Sequence, residues 1–167
     1  MYLCSRDRAI QKIAQQRHEA RRIIEKCISA ARTRIAVQKV REAAARMRAA
    51  GTPGAIVLFS TMQAVDLFPG STAYAAAKAA LLHGARILAK ECRGPASIRV
   101  NVIAPGVTEA GMARASIAAG KYDRYLSEGI LSRFGRAQDV ARAVRFFLEP
   151  DNYITGQVLA VDGGLTL

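Results

Sequence analysis

The first fifty residues contain no glycine, no proline and no asparagine; Gly51 is the first glycine and Asn101 the first asparagine. Without such punctuation that stretch offers no tight turn and reads as long helix. No tryptophan occurs, and no aromatic residue follows Tyr2 until Phe59, so the segment has no base-stacking platform and nucleic acid is not an expected partner. Histidine is nearly absent: His18 and His83 lie far apart, which argues against a His-based metal centre. The cysteines, Cys4, Cys27 and Cys92, are odd in number and form no Cys-x-x-Cys, so neither a disulfide scaffold nor a Cys-based metal site is supported. No metal is expected. Reduced thiols point to a cytoplasmic protein. No apolar run approaches the roughly 18 residues of a membrane span, and Met1–Ile10 has no hydrophobic stretch of a secretory signal. Asp7, Glu19 and Glu25 count against a transit peptide.

What is present is a chain of 167 residues, of one-domain length, about half of it hydrophobic and therefore able to bury a core. The net charge of +12 is uneven. Residues 1–50 hold 13 Lys/Arg and 4 Asp/Glu (+9), which leaves 12 and 9 (+3) for the rest. Ile10, Ile13, Ala20, Ile23, Ile24, Cys27, Ile28, Ala31 and Ile35 recur at helical steps, with arginines and lysines between them. An amphipathic basic helical leader is expected over 1–39, with a solvated basic face.

Gly51-Thr52-Pro53-Gly54 is a turn signal between a helix over Arg41–Ala50 and a short apolar run, Ala55–Phe59, that reads as a buried parallel strand. A loop spans Ser60–Thr72, and a helix Ala73–Glu91. A second strand covers Ile98–Ile103, cut off by Pro105-Gly106. Beyond it lie one loop-and-helix stretch over Met112–Glu128, a helix over Ala137–Leu148 and a third strand over Gln157–Val161. This alternation predicts an α/β fold, with right-handed β-α-β crossovers, a small parallel sheet of three strands and flanking helices.

Tyr74 and Lys78 are four apart at the start of a helix and share a face. An ammonium beside a phenol stabilises the phenolate and makes tyrosine a usable proton donor or acceptor. On its own such a pair occurs by chance in any Ala-rich helix. Thr61, thirteen positions before Tyr74, sits at the tip of the first strand, where open parallel sheets bind ligands. The Pro105-Gly106-Val107-Thr108 loop opens on the same edge, or is simply a turn.

Five segments then occur in a familiar order. They are Gly54–Thr61, Tyr74-Ala75-Ala76-Ala77-Lys78, Arg99–Gly106, Arg133–Ala141 and Ile154–Gly164. In them, over about residues 40–167, the chain resembles the C-terminal half of the short-chain dehydrogenases/reductases, in particular their 3-oxoacyl-acyl-carrier-protein-reductase-like members. The resemblance implies a partial Rossmann-like fold over 40–167 and an NAD- or NADP-dependent oxidoreductase acting on a small alcohol or carbonyl. It implies Tyr74 as acid/base, Lys78 as its helper and ribose ligand, and Thr61 as the substrate-orienting hydroxyl. The backbone at Pro105, Gly106, Val107 and Thr108 would face the nicotinamide. Residues 111–129, with Met112, Ile117, Tyr122, Tyr125 and Leu126, would form an apolar substrate wall.

The departures are as informative. Ala110 stands where the family usually has threonine, no asparagine precedes the first strand, and no glycine-rich turn for the pyrophosphate exists in residues 1–50. The chain therefore reads as truncated and weakly active or inactive alone. The alternative is a non-catalytic oligomerisation partner of a full-length reductase, in a homo- or hetero-oligomer. The Gly-free, Arg/Ala-rich leader fits out-of-frame translation. With no strand before it, Ala55–Phe59 should be an exposed edge that favours association.

Overall fold

The computed structural model describes residues 31–167. The leader positions from Ile10 to Ile28, and His18, lie outside the described residues. A first helix, α1, occupies residues 31–49 as described. After it come β1 (Gly54–Phe59), a 3-10 turn (Met62–Ala64), α2 (Thr72–Glu91) and β2 (Ile98–Pro105). The remaining elements are α3 (Ala113–Ala118), α4 (Arg124–Ser127), α5 (Ala137–Leu148) and β3 (Val158–Val161). The strands form one parallel sheet in the order β1-β2-β3, with Gly54 opposite Ile98 and Val102 opposite Val158. The fold is α/β, as the alternation predicts.

β2 is central and buried from both sides: Val100, Val102, Ile103 and Ala104 are all inaccessible to solvent or nearly so. Against one face pack Val40 and Ala44 of α1 with Ala85, Leu88 and Ala89 of α2 and Cys92 just past its end. The other face receives α5, whose Phe147 is fully buried. The α1 stripe that enters the core is Val37, Val40, Ala44 and Met47, one helical face at three- and four-residue steps. Ile35, expected on the apolar stripe, is instead exposed. It lies two residues from Val37, which turns it nearly to the opposite side of the helix.

Two side chains in the middle of β2 tie it to the C-terminal part of the chain. Buried Asn101 donates from Nδ2 to Ile154 O (2.8 Å) and accepts at Oδ1 from Gln157 N (3.0 Å), so it sets where β3 begins. Arg99 donates to Phe147 O (2.8 Å) and Glu149 O (2.7 Å), capping the C-terminus of α5 with a cation.

Three expectations change in detail. β2 continues through Pro105, which pairs with Val161, because a strand's last residue can lack an N–H without losing the sheet. The loop after β1 contains the 3-10 turn. The stretch after Met112 is two short helices, because Gly120 takes a left-handed conformation (φ 71°) that an α-helix cannot carry. Among the described residues β1 pairs with β2 alone. No helix among them is long and apolar enough to cross a membrane.

Candidate active site

The carboxyl ends of β1 and β2 open into a cavity of about 670 Å³. β1 delivers Phe59, Ser60 and Thr61 to its rim, α2 delivers Tyr74, and β2 delivers Pro105, Gly106, Val107 and Thr108. Six of the seven expected site residues thus share one cavity; Lys78 is not among its lining residues.

Each is held by a local cause. Ser60 is buried, donates from N to Ile103 O (2.8 Å) and from Oγ to Lys78 O (3.1 Å), and so pins the strand tip to α2. Thr61 is extended and caps the 3-10 turn, its Oγ1 accepting a long bond from Gln63 N (3.5 Å). Tyr74 stands in the first turn of α2, about one-third exposed at the cavity. Gly106 lies where β2 passes closest to β3: a Cβ there would come within 2.6 Å of Asp162 Cα. Glycine is therefore required, and Gly106 N donates to Val161 O (3.0 Å). Val107 is buried among Met62, Tyr125, Leu131 and Phe134, with its carbonyl accepting from Gly135 N (2.9 Å). Thr108 turns its hydroxyl inward, donating to Gly106 O (3.2 Å), and pairs with Gly135. The loop after β2 is thus braced from beneath and presents a fixed backbone.

Lys78 is the exception. One turn beyond Tyr74, its ammonium donates to the carbonyl of Phe59 (2.9 Å), the last residue of β1. Burial lowers its pKa from the ordinary lysine value, and the nearby charge of Arg32 lowers it further. A half-buried cation is held here by a carbonyl and no carboxylate.

The expected substrate wall is divided. Met112 and Tyr122 line the cavity, whereas Tyr125 is buried beneath with Ile117 packed against it, and Leu126 is partly exposed away from the lining. Tyr122 stacks on Tyr125 (6.3 Å between ring centres), with Lys121 over the Tyr122 ring at 5.5 Å. Sequence reasoning missed Gln63, Ser116 and Lys121; among the described residues Lys121 is the one charged residue on the cavity wall. Pattern reading favoured the apolar residues of this segment and passed over these. No cluster of three His, Cys, Asp or Glu side chains that could hold a metal occurs among the described residues. A hydroxyl, a phenol and a braced backbone around one cavity fit the flat, reactive end of a nicotinamide dinucleotide.

The geometry agrees with what the chain is similar to. Residues 19–166 match a family model described as Enoyl-(Acyl carrier protein) reductase. Over 113 residues the chain is 40% identical to 3-oxoacyl-[acyl-carrier-protein] reductase FabG of Chlamydia trachomatis, covering 67% of this chain and 45% of the relative. It is 43% identical over 114 residues to carbonyl reductase family member 4 of Danio rerio, covering 68% and 46%. The chain spans less than half the length of these relatives. Among solved structures it resembles a short-chain type dehydrogenase/reductase from Mycobacterium ulcerans (32% identity, TM-score 0.67, 76% of this chain and 46% of that one). It also resembles 4-hydroxyisoleucine dehydrogenase complexed with NADH (29%, TM-score 0.66, 75% and 52%).

Proposed function

The chain belongs to the short-chain dehydrogenase/reductase family, and from that premise we propose that its cavity is the reacting half of an NAD(P)-dependent oxidoreductase site for small alcohols or carbonyls. The observation that carries the reading is the meeting of Thr61, Tyr74 and the Pro105–Thr108 backbone on one cavity. Bound there, the nicotinamide supplies or takes up the hydride. The chain's own residues do the rest. Thr61 Oγ1 and the Tyr74 phenol bracket the substrate oxygen, and the phenol donates or accepts its proton. Lys78, held here by Phe59 O, would bind the nicotinamide ribose and stabilise the phenolate if its ammonium turned to the cavity. The loop after β2 gives the ring a flat seat, and Met112 and Tyr122 exclude water on the substrate side.

The pyrophosphate and adenosine end has no glycine-rich turn in residues 1–50. That end supplies remote binding energy to position the reacting end, so affinity and turnover of this chain alone are low. We divide the chain into the basic leader, 1–39, and the reductase-like part, 40–167, and place it in the cytoplasm on its cysteine usage.

Calorimetric titration with NADH and NADPH tests the reading, with Tyr74→Phe and Lys78→Ala as controls. Saturable binding that Lys78→Ala removes supports it. No binding of either cofactor at millimolar concentration overturns it. The second reading, a subunit that associates with a full-length reductase, is favoured by β1 having one strand neighbour only among the described residues. It fails if the two do not co-elute in size exclusion.

A further inference from the structure

The cavity holds polar side chains that proton transfer and nicotinamide seating do not use. Ser60 Oγ donates to Lys78 O, Thr61 Oγ1 accepts from Gln63 N, and Thr108 Oγ1 donates to Gly106 O, so the chain itself engages these hydroxyls. Gln63, Ser116 and Lys121 line the same cavity. Among the described residues their side chains make no hydrogen bond or ion pair.

The three are grouped by the packing beneath them. Met62, Val107, Tyr125, Leu131 and Phe134 form a buried apolar cluster, and Ile117 and Tyr122 pack on it. Gln63 follows Met62, Ser116 precedes Ile117, and Lys121 precedes Tyr122, so each is carried by a residue of that group. Tyr122 stacks on buried Tyr125, and the Lys121 ammonium lies over the Tyr122 ring, 5.5 Å from its centre. Two stacked rings thus hold the cation at the wall, tied to the cluster that braces Val107.

An amide, a hydroxyl and an ammonium all offer donors, and among the described residues no Asp or Glu lines the cavity. One cation balances one negative charge, and the neighbouring donors suit the two oxygens of a carboxylate. A neutral alkyl chain laid on the same wall would strip these donors of water without replacing the bonds. Met112 and Tyr122 beside them accommodate a short carbon chain.

We propose that the compound this cavity takes is a small hydroxy or oxo acid, its carboxylate bound by Lys121 with Gln63 and Ser116. Lys121 is then the residue that sets specificity for the acid. The proposal rests on the functional reading above for the fate of the alcohol or carbonyl, but not for the binding of the acid.

Ligand-observed NMR titration of the full chain tests it, with and without NADH, using 3-hydroxypentanoate and its neutral amide. The expected result is that the acid binds about fivefold more tightly than the amide, the scale of one exposed ion pair. Lys121→Gln removes that preference and Lys121→Arg keeps it; the side chain is exposed, so both variants fold. Lys90→Gln removes the same charge from the last turn of α2, remote from the cavity, and leaves the preference intact. Equal affinity for acid and amide, or binding of neither, overturns the proposal. So does a preference that survives Lys121→Gln or is lost equally in Lys90→Gln. If the acid is preferred through Lys121 yet neither NADH nor NADPH binds, the oxidoreductase reading alone fails. If NADH binds and the acid is not preferred, the carboxylate proposal alone fails.

Discussion

Changing Asn101 to Asp replaces one nitrogen by oxygen in the most buried polar side chain of the sheet, and the consequence depends on pH. The amide orientation is fixed by its partners: a donor must face Ile154 O at 2.8 Å, and an acceptor must face Gln157 N at 3.0 Å. An ionised aspartate accepts from Gln157 but sets a charge against the Ile154 carbonyl, in a site only 1% exposed. A protonated aspartic acid restores both bonds, because its O–H donates where the amide did. Burial and the facing carbonyl therefore raise the folded-state pKa of Asn101→Asp well above the unfolded value of about 3.9. A raised pKa contributes stability that is fully present below the unfolded value and lost as pH rises through the folded one. If the folded-state value exceeds 7, the variant loses about 4 kcal/mol between pH 4 and pH 7 relative to the parent chain. Urea unfolding of both proteins across that range measures the difference. Asn101→Leu is the control, since it orphans both partners and its cost has no such pH dependence. An Asn101→Asp penalty that is equal at both ends of the range refutes the assignment of Asn101 as the residue that seats β3.

The other expectations concern the loop, a cap and a thiol. Gly106→Ala forces a Cβ to within 2.6 Å of the Asp162 backbone, so β2 and β3 must part. A loss of about 1–3 kcal/mol in urea unfolding is expected, and a change under about 0.5 kcal/mol would contradict the close approach. Asp139 accepts from Arg133 Nη1 (2.7 Å) and Arg136 N (2.8 Å) at the start of α5, which lowers its pKa from 3.8 to about 2. A lowered carboxylate pKa contributes stability that is present above 3.8 and lost as pH falls toward 2. Acid unfolding of Asp139→Asn should lack that component, and identical acid profiles would refute it. Burial raises the Cys92 thiol above its ordinary pKa, so iodoacetamide labelling at neutral pH should be slow until urea opens the core. Rapid labelling at Cys92 itself in the folded chain, located by peptide mapping, would place it outside the core.

The features legible in the sequence are the local ones. β1 is an uninterrupted apolar run and β2 a mostly apolar one, bounded by Gly-Thr-Pro-Gly and Pro-Gly, and both lie where those boundaries predict. The Tyr74–Lys78 spacing places both residues on one helix, and the strand tip at Thr61 opens on the same cavity as Tyr74. The segment after Met112 is harder to read, because a helical composition does not reveal that Gly120 adopts φ 71° and splits it. Ile35 shows the limit of periodicity: it identifies an apolar residue, but which side of α1 meets α2 and β2 is decided by packing. Asn101 and Gly106 are beyond reach for a related reason, since each acts on a residue more than fifty positions away. Lys78 is the most instructive case. Its type and spacing point to the cavity, yet its ammonium is held by the carbonyl of Phe59 at the end of β1, a contact between residues nineteen apart that only the packing of α2 against the sheet reveals.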